Sequence, residues 1–387
     1  LMKYKNNKFF FENITATAIA KKYGTPIYCY SLNKLKKNID DFKFKFKSFN
    51  PLICFSLKSN PNLILIKEMK KKGLGADVVS IGELMLALKA GINPKKIVFS
   101  GVGKKYGEIE FALKKKILLI NVESENELIL IEKIARKKNI IANIGIRLNP
   151  NTDAKTLNKI STGKKENKFG LEEKILYKLV NFCKKSKYIN LKCLSAHIGS
   201  QILDYRPYNK MLNVLNKVIK KSKHTFEFID LGGGMGIQYN ENDKNLNYKK
   251  YNLLINSFLK KNNTKIIFEP GRSIVGNIAV ILSKVIYVKR SKNKIFIILD
   301  AGMNDLIRPA LYGANHKIIP SIRSNKKFNK IIEIVGPICE TTDTFLRKEN
   351  FQKLNEKDIL IICNTGAYGI SLFSNYNLRP RPAELLI

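Results

Sequence analysis

The sequence has no tryptophan, no CxxC pair among its six cysteines, and no uninterrupted apolar run approaching the roughly 18 residues of a membrane span. Without CxxC pairs, a zinc ribbon and a thioredoxin-like motif are both excluded. The six isolated cysteines predict reduced thiols and a cytoplasmic chain. The apolar stretch near the N-terminus is broken by Glu12, so neither export nor membrane insertion is expected. Acids and arginines are also few: 31 Asp+Glu against 70 Lys+Arg give a net charge of +39, and only ten of the 70 are arginine. Such a field attracts polyanions. The lysines, however, are scattered in doublets and triplets such as Lys70-Lys71-Lys72 and Lys114-Lys115-Lys116, among abundant Ile and Asn. This reads as compositional drift rather than a patch. Arginine, which clamps phosphates and reads bases bidentately, is the residue in short supply, so no specific nucleic-acid partner is expected.

What remains is an ordinary globular composition, 44% apolar and 26% charged, on 387 residues, enough for about two domains with sizeable cores. No internal repeat and no low-complexity linker divides it. From residue 54, short β-rich runs alternate with amphipathic stretches. The runs are CFSLK (54–58), LGADVVS (74–80), IVFSG (97–101), ILLINV (117–122), ANIGIRLN (142–149), LKCLSAHIG (191–199), FEFIDLGG (226–233) and KIIFEP (265–270). Between them lie helical patterns such as LILIKEMKKKG, IGELMLALKAG and ENELILIEKIARKKN, the last two ending on Gly or Asn stop signals. Eight strands alternating with helices predict a (β/α)8 TIM barrel, within the α/β class, over residues 31–275. Beyond it, IAVILSKVIYV, KIFIILDAG, KIIEIVGPICE and DILIICN are strand-like, with no helices between them. They predict an all-β domain over 276–387 that also takes in residues 1–30, with the strand in YGTPIYCY.

In such a barrel the reactive groups stand at the C-terminal ends of the strands. Those positions hold Lys58, His197, the glycine run Gly232–Gly234 with Gly236, and Glu269 with Arg272. A lysine ending an apolar strand is partly desolvated, which suits Schiff-base chemistry, but alone it is one surface lysine of sixty. His197 in SAHIGSQ fits a cofactor contact or a satisfied histidine. LGGGMGI follows the seventh strand, where barrels often bind phosphate, and it also fits a plain tight turn. It lacks the βαβ context of a dinucleotide fingerprint. EPGRSIVG offers a carboxylate and a guanidinium, or a buried ion pair.

Taken in order, FSLKSN, GADVVSIGEL, AHIGSQ, LGGGMGI, EPGR, MNDLIRPALYGANH, GPICETTD and TGAYGISLFSNYNLRPRPAE resemble the fold-type III pyridoxal-phosphate decarboxylases, and among them the diaminopimelate decarboxylases. The resemblance runs from about residue 10 to 385. It implies pyridoxal 5'-phosphate as cofactor, bound covalently by Lys58, with His197 against the pyridine ring. Ser200, Gly234, Gly271, Arg272 and Tyr368 are implied at the phosphate, and Glu269 at the pyridine nitrogen, where a carboxylate keeps that nitrogen protonated. It implies Arg272, Arg308, Tyr312 and Tyr368 as substrate contacts, Glu340 as acceptor of a distal ammonium, and Cys339 as the proton donor to the decarboxylated carbon. Cys339 and Glu340 are implied to enter from the partner of a homodimer. The implied reaction is decarboxylation of meso-diaminopimelate at its D-centre to L-lysine and CO2, the last step of lysine biosynthesis. No metal is implied. A decarboxylase of ornithine, arginine or a carboxylated polyamine is the alternative. Against a simple diamine-forming enzyme stands the cost of leaving desolvated arginines unpaired.

Overall fold

The computed structural model describes residues 2–154, 156–164, 166–240 and 242–387. The chain divides into two compact units: Ile39–Ile237 with Lys244–Gly271, and the residues up to Asn38 with Gln238–Asp243 and Arg272–Ile387.

The first unit is a closed barrel of parallel strands: β1 (Leu52–Ser56), β2 (Gly75–Val78), β3 (Ile97–Phe99), β4 (Leu119–Val122), β5 (Ala142–Leu148), β6 (Ile189–Ala196), β7 (Phe228–Asp230) and β8 (Lys265–Phe268). Each pairs with the next, and β8 pairs with β1 to close the ring. A helix follows each strand from β1 to β7, and side-chain caps set where several of them begin. The Asn62 side chain accepts the N–H groups of Ile64 and Leu65, Ser80 accepts that of Glu83, and Ser124 accepts that of Glu127, at the starts of Leu63–Lys71, Ile81–Lys89 and Glu125–Lys138. Asn139, left-handed at φ 52°, ends the last of these. The first strand departs from the sequence reading, because it begins at Leu52 and stops at Ser56. The Ser59 hydroxyl donates to the Ser56 carbonyl at 2.7 Å and closes a 3-10 turn over Leu57–Ser59, so Lys58 stands on that turn.

Side chains alternate along a strand with a period of two, and here that period separates two layers inside the barrel. Cys54, Val98, Leu119, Cys193, Phe228 and Ile267 form one buried apolar cluster. Two residues further along the same strands stand Ser56, Ser100, Asn121, Ser195, Asp230 and Glu269, all buried and all polar. The apolar layer plugs the barrel, and the polar layer caps it at the C-terminal ends. Around the outside of β8, Phe268 packs against Phe46 at 4.6 Å between ring centroids, Phe42 at 5.8 Å and Tyr251 at 6.1 Å.

The second unit is mostly sheet. Its strands run in the order Ile318–Pro320, Ile359–Cys363, Ala279–Arg290, Lys294–Leu299, Ile331–Val335 and Thr344–Lys348. Ile27–Tyr30 joins this sheet through Ala279–Arg290 and carries Ala383–Leu386 on its other side. Phe9, Phe11, Ile19, Ile27, Val280, Leu282 and Ile361 form its core. Residues 31–38 group with this unit because the Ser31 N–H bonds Ile278, the Leu32 N–H bonds Ile387, and the Asn38 amide bonds Ile274 and Asn277. The unit is not purely β. Ala16–Tyr23 and Arg308–Tyr312 are helical, the latter with Pro309 in its first turn and ended by Gly313 at φ 64°.

Truncating Phe268 to Ala should cost about 3–5 kcal/mol, because it empties the centre of this aromatic cluster. Chemical denaturation followed by far-UV circular dichroism measures it, and a cost below about 1 kcal/mol would show that the cluster collapses without loss.

Candidate active site

A cavity of about 530 Å³ opens inside the C-terminal end of the barrel, lined by Lys58, Arg147, Ser195, His197 and Glu269 among others. A cleft of about 660 Å³ is lined by Lys43, Lys47, Lys96, Lys265 and apolar neighbours, with no carboxylate or histidine in its lining. The chemistry therefore belongs to the first.

Lys58, 39% exposed, reaches into the polar layer and donates to Asp77 Oδ2 at 3.1 Å. The same oxygen accepts the Ser56 hydroxyl at 2.7 Å. Asp77 is fully buried, so it orients the lysine from a fixed point. His197 is held by its surroundings as a neutral ring. Its Nδ1 accepts the Gly233 N–H at 3.3 Å, and burial, with the charges of Arg147 and Lys58 adding to it, pushes its pKa far below the ordinary histidine value. Arg147 is neutralised by Glu123 at 2.9 Å. Glu123 also accepts the N–H groups of Gly101 and Gly170, tying three loops to one carboxylate. Glu269 has its Oε1 buried with no donor directed at it, and burial beside Asp230 and Asp77 pushes its pKa well up.

The glycines after β7 let the backbone pack closer than any side chain would allow. A Cβ on Gly233 would lie 2.1 Å from the Glu269 carbonyl oxygen, and one on Gly234, at φ +85°, would lie 2.3 Å from the Gly199 carbonyl oxygen. Gly271 is equally close, its Cβ position 2.9 Å from the Ser59 side chain. Ser200 is half-buried on the loop after β6, its N–H bonded to Ile160.

In the sheet unit, two arginines share one tyrosine. Arg272 donates to the Tyr239 hydroxyl at 2.5 Å, and the Arg308 guanidinium lies 4.6 Å over the Tyr239 ring. Tyr368 lies 4.9 Å from the Arg272 guanidinium. His316 Nδ1 is placed to donate to the Cys363 carbonyl at 2.8 Å, which leaves Nε2 to accept from Arg308 at 2.8 Å. Burial, with Arg308 next to it, pushes the His316 pKa down to about 3, so this ring adds no charge. Arg308 is buried, its Nε has no partner, and no carboxylate pairs with it among the described residues. Tyr312 ends the helix that carries Arg308. Cys339 and Glu340 are exposed, with the Tyr376 hydroxyl donating to Glu340 at 2.6 Å.

The structure thus brings Lys58, His197 and Glu269 around one cavity, and Arg272, Arg308 and Tyr368 into another group. Cys339 and Glu340 are exposed on the sheet unit. Sequence reasoning missed Asp77, Asp230, the Arg147–Glu123 pair and Tyr239. The first two carried a readable signal: an acid inside a short apolar parallel strand pays a desolvation cost unless it has a task.

This arrangement fits pyridoxal phosphate: an amine on an anchored stem, a flat neutral ring, a surplus of buried carboxylates and a glycine cradle open to a phosphate. Residues 32–276 match the family described as pyridoxal-dependent decarboxylase, pyridoxal binding domain. The diaminopimelate decarboxylase of Helicobacter pylori J99 is 45% identical over 94% of this chain and 91% of its own length, and that of Aquifex aeolicus is 39% identical over 100% and 92%. The crystal structure of the H. pylori enzyme complexed with L-lysine superposes with a TM-score of 0.92 at 43% identity, covering 96% of this chain and 93% of that one. The lysine/ornithine decarboxylase of Vibrio vulnificus, at 19% identity and a TM-score of 0.83, shares the fold. The chain belongs to the pyridoxal-dependent decarboxylases and, within them, to the diaminopimelate decarboxylase family. Its cofactor is pyridoxal 5'-phosphate.

Glu83 caps its helix from beside this site, accepting the Val79 N–H at 2.8 Å, and burial pushes its pKa from about 4.5 up to about 7. The folded state therefore holds this proton more tightly than the unfolded one. The associated stability is complete below about pH 4.5 and is lost as the pH rises through 7. Glu83→Gln should escape this loss, gaining on the natural protein between pH 5 and 8 by up to about 3 kcal/mol. Urea unfolding at the two pH values measures it, and a difference independent of pH would contradict the shift.

Proposed function

We propose that this chain decarboxylates meso-2,6-diaminopimelate at its D-centre to L-lysine and CO2, the closing step of lysine biosynthesis, in the cytoplasm and as a homodimer with shared active sites. The observation that carries the substrate assignment is Arg308, a buried guanidinium with no carboxylate partner among the described residues. A buried charge of that kind is costly unless an anion arrives to meet it. The distal carboxylate of diaminopimelate is such an anion, and ornithine has none. The relatives of known structure complexed with L-lysine support the same product. The six free cysteines support a reducing compartment. Among the described residues no helix is long and apolar enough to cross a membrane.

Bound pyridoxal phosphate supplies the electron sink for the carbon that loses CO2. The chain's own residues do the rest. Lys58 provides the amine that holds the cofactor, and Asp77 keeps that amine oriented. His197 offers a neutral flat face to the ring, and Glu269 offers a carboxylate to the ring nitrogen. Ser200, the backbone at Gly234, Gly271 and Arg272, and Tyr368 bind the phosphate. Arg272, Arg308, Tyr312 and Tyr368 take the substrate's carboxylates. Glu340 accepts the distal ammonium, and Cys339 delivers a proton to the reacting carbon, both reaching the site of the partner protomer.

The test is incubation of the purified chain and pyridoxal phosphate with meso-diaminopimelate, and in parallel with ornithine, followed by assay of lysine, putrescine and CO2. Lysine and CO2 from the first substrate alone are expected, and putrescine from the second would reassign the enzyme to diamine formation. Lys58→Ala should abolish turnover, and measurable multiple turnover would remove the lysine from its role. Glu340→Ala should raise KM for diaminopimelate while leaving the bound-cofactor absorbance intact, and loss of that absorbance would make Glu340 a cofactor residue instead.

A further inference from the structure

We propose that Asp230 and Glu269 hold a single proton between them in the cofactor-free barrel, and that this proton passes to the ring nitrogen of pyridoxal phosphate when the cofactor binds. The inference rests on the role given above to Glu269. It makes Asp230 a positioning residue that acts through Glu269.

Asp230 ends β7 inside the barrel, fully buried. Its Oδ1 accepts the Gly232 N–H at 2.8 Å, and its Oδ2 accepts the Asn121 amide at 3.1 Å and the Ser195 hydroxyl at 3.3 Å. Three donors converge on this carboxylate and hold it as the anion. Glu269, at the end of the neighbouring strand β8, is buried beside it. Two buried carboxylates side by side repel unless one carries a proton, and only with that proton can they hydrogen-bond each other. Asp230 already has its donors, whereas Glu269 Oε1 is buried with none directed at it. The proton therefore sits on Glu269 and is donated to Asp230.

The one cation near Glu269 among the described residues, Lys58, does not outweigh its burial beside two carboxylates. The charged and titratable groups around the pair are Asp77 from β2, Lys58 from the turn after β1, and the buried thiols Cys54 and Cys193. Lys58 bonds Asp77, and Arg147 bonds Glu123. Burial raises the pKa of both Asp230 and Glu269, in keeping with an acid pair that retains one proton at neutral pH.

When the ring nitrogen meets Glu269, the O–H bond of Glu269 breaks and an N–H bond forms on the ring. Both carboxylates are then ionised beside one cationic ring. Charge is conserved, and neither water nor a further reactant takes part. The barrel thus brings the proton that its own electron sink needs.

Infrared difference spectroscopy of the full chain with and without pyridoxal phosphate tests this. Besides the Glu83 carboxyl, the cofactor-free protein should show a protonated-carboxyl C=O stretch that shifts in D2O, disappears when the cofactor is added, and is missing from cofactor-free Asp230→Asn, whose amide would donate to an ionised Glu269. If the natural protein shows no such band, or Asp230→Asn keeps it, the shared proton is wrong. If the band persists after the bound-cofactor absorbance has developed, the transfer is wrong, and the fault lies in assigning Glu269 to the ring nitrogen rather than in the pair. Should Asp230→Asn fail to fold, the spectra of the natural protein decide alone.

Discussion

Everything at the C-terminal end of this barrel is arranged around the burial of three carboxylates, Asp77, Asp230 and Glu269, in the company of one lysine ammonium. Buried carboxylates without partners are among the most expensive features a core can contain. The surrounding structure offsets that cost through donors: Ser56 and Lys58 on Asp77, and Asn121, Ser195 and the Gly232 N–H on Asp230. Glu269 is left with the least support, its Oε1 buried without a donor. The layer of small polar side chains above the apolar plug exists because these acids need it.

The contrast with the rest of the chain is instructive. A protein of net charge +39 keeps a locally acidic interior, in which buried carboxylates outnumber the nearby cations despite the basic surface. The sheet unit contains the complementary arrangement. Arg272 and Arg308 are buried around Tyr239, and His316, held neutral by burial and by the charge of Arg308, does not add to their repulsion. Ring chemistry needs anions, and carboxylate recognition needs cations.

Much of this was legible in the sequence. Eight strands could be read because apolar runs of four to eight residues alternate with amphipathic stretches whose caps, Asn62, Ser80, Ser124 and Asn139, are visible as letters. Lys58 and Glu269 stood out as candidates because they terminate apolar runs. The period-two switch from Cys54 to Ser56, Leu119 to Asn121 and Phe228 to Asp230 was equally visible and went unread, because single polar residues at strand ends look like turn signals. Tyr239 was not legible: a tyrosine in a loop carries no mark of the two arginines that close on it. The one-turn helix under Arg308 escaped because five residues are too few for a periodic pattern.

The central claim, that buried carboxylates fix the charge of the cofactor ring, is tested most directly by nitrogen NMR of the holoenzyme loaded with pyridoxal phosphate labelled at the ring nitrogen. A protonated ring nitrogen in the natural protein and an unprotonated one in Glu269→Gln is the predicted result. An unprotonated nitrogen in the natural protein, or the same protonation state in both, would contradict it.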